Sequence, residues 1–164
     1  MLMMAESQAS DGPQLGREAL PPSMRDRTTF LLYRAGELSH SMANDMLAPI
    51  RLTARQVGIL TLVIELEPMT QKALGDMLGI DRTTMVALID DLEHKGYLTR
   101  QRHPRDRRAF LIEPTGEGRA AKVEAIKILD EQKRHFLAPL TPGQQKQLLA
   151  LVKLLQRPPR WPNQ

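Results

Sequence analysis

A single glycine between two short helical segments limits the fold of this chain more than any other feature. Thr70 to Leu78 reads as a short helix, and Gly79 ends it, because glycine accepts the left-handed backbone of a tight turn. Asp81 then caps a second helix that runs to about Lys95. Two helices around a glycine turn make a helix-turn-helix candidate. Past Gly96, Tyr97 to Arg102 and Arg108 to Ile112 have the length of strands, and the proline-containing His103 to Arg107 suits the loop that joins them as a hairpin.

Helical patterning brackets this centre on both sides. Leu31, Ala35, Leu38, Met42 and Met46 recur at steps of three and four, which predicts a first helix from about Asp26 to Leu47, stopped by Pro49. Thr53 and Gln56 form a capping-box signature before a helix to about Leu66, with Val57, Leu60 and Ile64 as its buried face. Ala121, Ala125, Ile128 and Phe136 mark a long helix from about Glu117 to Leu137. Thr141, Pro142 and Gln144 repeat the start signal before a last helix carrying Leu148, Leu151, Val152 and Leu155. Residues 1–24, rich in Ser, Gly, Pro and Gln, read as a flexible arm, and Arg157 to Gln164, with three prolines and Trp161, as a tail.

Charge locates a binding function. Removing the five arginines and one aspartate of Arg100 to Arg108 from 23 basic and 19 acidic side chains leaves 18 of each, so the net charge of +4 resides in one hairpin. A concentrated positive segment beside a helix-turn-helix suits a polyanion. At 164 residues and 41% apolar side chains the chain can build one core. With no cysteine it has no disulfide or thiolate metal site. Neither a run of about 20 apolar residues nor a signal peptide is legible, so the expected location is the cytoplasm, with no membrane contact. Phosphate-binding loops, nucleophile elbows and paired-histidine motifs are lacking, and His40, His94, His103 and His135 are scattered. The expectation is a non-enzyme without catalytic residues, cofactor or metal.

Several segments, taken in order, resemble the MarR family of regulators from about Thr28 to Leu155. Thr70 to Ile80 is similar to the family's first helix and turn, and Asp81 to Thr84 with Leu88-Ile89-Asp90 and Leu92 to Gly96 to its recognition helix. Pro104-Arg105-Asp106-Arg107-Arg108, then Leu111 and Thr115 to Gly118, is similar to its wing and the start of the next helix. The fold class implied is mostly α with a small β-hairpin wing. A winged helix-turn-helix lobe at about 53–114 lies within a domain at 25–156, and helices at about 26–47 and 117–156 pair two chains into a homodimer.

A recognition helix lays its N-terminal side chains against base edges in the major groove of double-stranded DNA. Arg82, Thr83 and Thr84 hold that position, and each threonine suits either a base edge or a phosphate or backbone group. Thr70 and Gln71, at the start of the preceding helix, suit phosphate. Val86 and Ala87 stand where relatives often carry a hydroxyl and an arginine, so polar readout is sparse, and Ala87 either meets a thymine methyl or packs the lobe. Arg105 and Arg107 suit a minor groove. The resemblance pairs Asp106 with Arg108 to shape the wing, and Arg100 and Arg102 suit phosphate. Asp90, Asp91 and Glu93 repel phosphate, so that end of the helix should leave the groove, and Asp91 has Lys95 four residues on as a partner.

The resemblance also implies a small aromatic or anionic effector, for which Tyr33, Arg34, His40, Met42 and Arg55 mix apolar walls with a possible anion partner. A repressor released by such an effector from a palindromic operator is the expected function. Two other readings stay open: an adaptor with this fold that binds another protein, and a less specific architectural DNA binder.

Overall fold

The computed structural model describes residues 21–66, 69–104 and 109–156. Helix α1 (Pro22–Arg25) and the first half of α2 (Thr28–Leu47) belong to one compact unit that ends at Leu38, and the residues from Ser39 onward belong to a second. The helical turn of α1 lies partly inside the expected arm, because Pro22 occupies a first-turn position where its missing N–H costs nothing. Residues 1–20 and 157–164, with Trp161, lie outside the described residues.

α2 ends at Leu47, and the chain tightens into a 3-10 turn at Ala48–Ile50 that contains Pro49. Arg51 closes this turn with a left-handed φ of 57°. Thr53 then caps α3 (Ala54–Glu65) through the capping box expected with Gln56. A two-residue strand β1 (Met69–Thr70) leads into α4 (Gln71–Leu78) and α5 (Arg82–His94). β2 (Leu98–Arg102) and β3 (Phe110–Pro114) follow, then α6 (Gly116–Phe136) and α7 (Pro142–Leu155), whose Thr141–Gln144 capping box is formed.

The sheet is antiparallel in the order β1-β3-β2, with Leu98 opposite Pro114 and Arg102 opposite Phe110. Two expectations change here. β1 pairs Met69 with Ile112 and Thr70 with Leu111, a strand too short for any alternation to announce it. β3 runs two residues further than expected, to Pro114, because a proline at a strand end removes no interior ladder bond. Thr115 ends the strand by capping α6, its hydroxyl accepting from the Gly118 amide at 3.0 Å.

The core lies within the second unit. Val57, Ile59, Leu60 and Val63 of α3, Leu74 of α4, Met85, Ile89 and Leu92 of α5, and Leu98 and Ile112 of the sheet are all buried, with Ala125 of α6 closing one side. Each large apolar side chain fully buried in this way contributes about 1.5 to 3 kcal/mol. Among the described residues no single helix is long and apolar enough to cross a membrane.

Candidate nucleic-acid interface

Short-range hydrogen bonds fix the geometry of α4 and α5. The Thr70 hydroxyl accepts from the Ala73 amide at 3.2 Å and starts α4. Gly79, at φ 63°, turns the chain, and the Ile80 amide donates back to the Gly75 carbonyl at 3.0 Å. Asp81 accepts from the Thr84 amide at 3.0 Å and starts α5. Hydrogen bonds from the side chain and amide of Thr84 hold the Asp81 carboxyl below its ordinary value, so the cap stays ionised at neutral pH.

Helical periodicity then divides α5 into two faces. Met85, Ile89 and Leu92, at steps of four and three, are buried against the core. Arg82, Thr83, Val86, Ala87 and Asp90 are exposed and form a strip on the opposite side. This strip holds one guanidinium, one hydroxyl and two apolar side chains before its carboxylate. Thr84 is half-buried with its side chain on the Asp81 cap, so of the two threonines Thr83 faces outward. Thr70 spends a lone pair on its own helix and keeps its hydroxyl proton as a donor, and Gln71 opens α4 half-buried.

Arg100 is tied into the lobe. One of its terminal nitrogens donates to Glu93 and the other to Asp90, so the side chain bridges β2 to α5 and is only 21% exposed. The expected phosphate contact did not include this fork, which holds the guanidinium between β2 and α5. The acidic end of α5 is revised with it, because Asp90 and Glu93 are paired and do not stand as bare charges. Arg102, two residues on along β2, is exposed. Arg105, Asp106, Arg107 and Arg108 lie outside the described residues.

Polar ties anchor the two ends of this lobe. Asp91 pairs with Lys95 at 2.5 Å, as expected, and also accepts from the buried capping-box Gln56, while Lys95 donates to the Arg51 carbonyl at 2.8 Å. The Lys95 and Gln56 hydrogen bonds outweigh partial burial and hold the Asp91 carboxyl below its ordinary 3.8. The Asn44 side chain of α2 accepts from the Ala54 amide at 2.9 Å, joining the end of α2 to the start of α3. At the other end the Thr115 hydroxyl donates to the Gly96 carbonyl at 2.7 Å. A Cβ on Gly118 would stand 2.1 Å from the Tyr97 carbonyl oxygen, so α6 approaches this turn closely only because residue 118 is glycine.

Sequence reasoning missed Gln56 as a tertiary donor and Arg100 as a bridge. The signal available for Arg100 was the pair Asp90 and Glu93, three residues apart on one helix edge. Of the residues assigned to an effector, Tyr33 and Arg34 are exposed in the first unit. His40 and Arg55 are exposed and Met42 half-buried in the second.

Comparison with known proteins agrees with this geometry. A model of the MarR family matches residues 52–110. The organic hydroperoxide resistance transcriptional regulator of Bacillus subtilis (strain 168) is 30% identical over 105 residues, which span 64% of this chain and 71% of that protein. The solved structure of a MarR-family transcriptional regulator from Rhodococcus sp. RHA1 matches with a TM-score of 0.77 and 27% identity, over 85% of this chain and 99% of its own. CouR from Rhodococcus jostii RHA1, solved bound to p-coumaroyl-CoA, matches with a TM-score of 0.73 and 26% identity, over 84% and 97%.

Proposed function

The chain belongs to the MarR family of DNA-binding transcriptional regulators, and from that premise we propose that it is a repressor that binds an inverted-repeat operator as a homodimer and leaves it on binding a small effector. The observation that carries this reading is the exposed strip Arg82, Thr83, Val86 and Ala87 on the N-terminal half of α5. That end of a second helix projects into the major groove, where arginine pairs bidentately with guanine and apolar side chains meet thymine methyls. Thr70 and Gln71 at the start of α4, and Arg102 on β2, are assigned to phosphate. Arg105 and Arg107 are assigned to a minor groove beside the recognition helix, with Asp106 and Arg108 shaping the tip between them.

Two copies related by a twofold axis put their recognition helices one DNA turn apart, so the half-site centres are about 10 base pairs apart. For the effector, a small aromatic or anionic compound, Tyr33, Arg34, His40, Met42 and Arg55 are each a candidate contact by their own chemistry. The ligand bound to CouR, an aromatic acyl thioester, supports that class.

The test separates readers from anchors. Arg82→Ala should lose about 1 to 3 kcal/mol on the preferred duplex and much less on scrambled DNA. Arg105→Ala with Arg107→Ala should weaken binding to every sequence and flatten the salt dependence by a slope of about 0.9 for each phosphate no longer neutralised. An unchanged specificity ratio for Arg82→Ala would move that residue from base reader to phosphate anchor. Equal affinity of the wild-type chain for all duplexes would favour the architectural reading.

A further inference from the structure

Resting on the reading of α5 as the groove-facing helix, we propose that Arg100 is a positioning residue that masks Asp90 and Glu93 and holds the wing strand against α5, without itself contacting phosphate. Strand alternation sets up the contact. Leu98 is buried in the lobe, so Arg100, two residues later, leaves β2 on the same side and meets α5. There its two terminal nitrogens take one carboxylate each, Asp90 and Glu93, which the helix places three residues apart on one edge.

The electrostatic consequence follows from where Asp90 lies. It is 56% exposed and one helical turn beyond Val86, on the strip that faces base edges. A turn is about 5.4 Å, shorter than the Debye length of about 8 Å at physiological salt. A bare carboxylate there would act on the DNA backbone with little screening, and Glu93 adds a second. Lys95 is already engaged by Asp91 and the Arg51 carbonyl. Arg100 therefore offsets the charge that would push this helix out of the groove, and it fixes the angle at which β2 leads towards the wing. Arginine suits this task because its rigid planar fork serves two acceptors at once, whereas a lysine supplies only a point charge.

Charge masking and phosphate contact respond differently to second substitutions. The full-length chain is titrated with one duplex at several salt concentrations, with Arg102→Gln as the phosphate-contact reference. Arg100→Gln should weaken binding about tenfold or more through uncovered like charge, with a loss of salt slope that removing the two carboxylates reverses. Asp90→Asn and Glu93→Gln added to Arg100→Gln should restore affinity and slope at least to the wild-type values, because they remove both like charges. Arg102→Gln should also lose a slope of about 0.9, but the same two acid substitutions should not restore that slope. A loss of about 0.9 in slope for Arg100→Gln, with no recovery in the triple variant, would overturn the proposal. If Arg100→Gln alone fails to fold, the triple variant decides through its slope, wild-type supporting the proposal and a loss of about 0.9 overturning it. A wild-type chain that binds no duplex would instead overturn the groove-facing reading, and the proposal with it.

Discussion

Helices α3 and α7 begin with the same device and end in opposite surroundings. Each opens with a Thr–Gln capping box, Thr53 with Gln56 and Thr141 with Gln144, and each is rich in large aliphatic residues. α3 buries Val57, Ile59, Leu60 and Val63, whereas among the described residues none of α7's is buried. Leu149, Leu151, Leu154 and Leu155 are 57%, 53%, 56% and 64% exposed. Even the capping glutamines differ, since Gln56 is buried and donates on to Asp91 while Gln144 stays exposed. A cap starts a helix, but only a facing surface gives its apolar side chains somewhere to go. The lobe around α3 supplies that surface from within the chain. The dimer proposal assigns the missing surface of α7 to a second copy, since exposed leucines that share a helix face, as Leu151, Leu154 and Leu155 do, are what an obligate interface covers.

The sharpest way to break this contrast is to charge the exposed face. Leu151→Asp with Leu154→Asp should raise the dimer dissociation constant by about 100-fold or more, because each buried leucine is worth about 1.5 to 3 kcal/mol and about 1.4 kcal/mol is a factor of ten. Sedimentation at micromolar concentration should show the variant as monomer and the wild type as dimer. A wild-type monomer would mean that α7 awaits no second copy. Leu60→Ala should act on the other side of the comparison, costing about 2 to 5 kcal/mol of lobe stability through diminished burial and the cavity left behind. Its signature in a thermal melt is a lower midpoint with the dimer intact at low temperature, and a midpoint equal to wild type would contradict the burial of this site.

The smallest effect concerns the tie between α3 and α5. Because the folded Asp91 carboxyl lies below its ordinary 3.8, its contribution is complete above that value and is lost as pH falls through the folded one. Asp91→Asn should therefore leave stability near neutral pH lower by less than about 1 kcal/mol, as for a partly exposed pair. Stability should also fall less steeply than in the wild type below about pH 4. Denaturant melts at pH 3 and pH 7 compare the two, and parallel acid losses would show that Asp91 carries no linkage.

Sequence made the locally determined parts legible. The caps at Thr53, Asp81 and Thr141 and the turn at Gly79 depend on side chains reaching their own backbone, so their spacing alone announces them. β1 stayed hidden because two residues show no period, and β3 was expected to end at Ile112, two residues before Pro114 where its ladder closes. The Arg100 fork and the close approach at Gly118 depend on how β2 and α6 meet the end of α5, and no neighbouring residue encodes that meeting. On the exposed strip of α5, the types and order of Arg82, Thr83, Val86 and Ala87 were legible. Which threonine faces outward, and which arginine is already committed, required the packing.

That α5 reads sequence from a twofold dimer can be tried by selection from a pool of random duplexes with the full-length chain. The pool should enrich an inverted repeat with half-site centres about 10 base pairs apart. The enriched duplex should bind at least about 1,000-fold tighter than a scrambled one of equal length. A pool that stays random after repeated selection, with equal affinity for both duplexes, would contradict that reading.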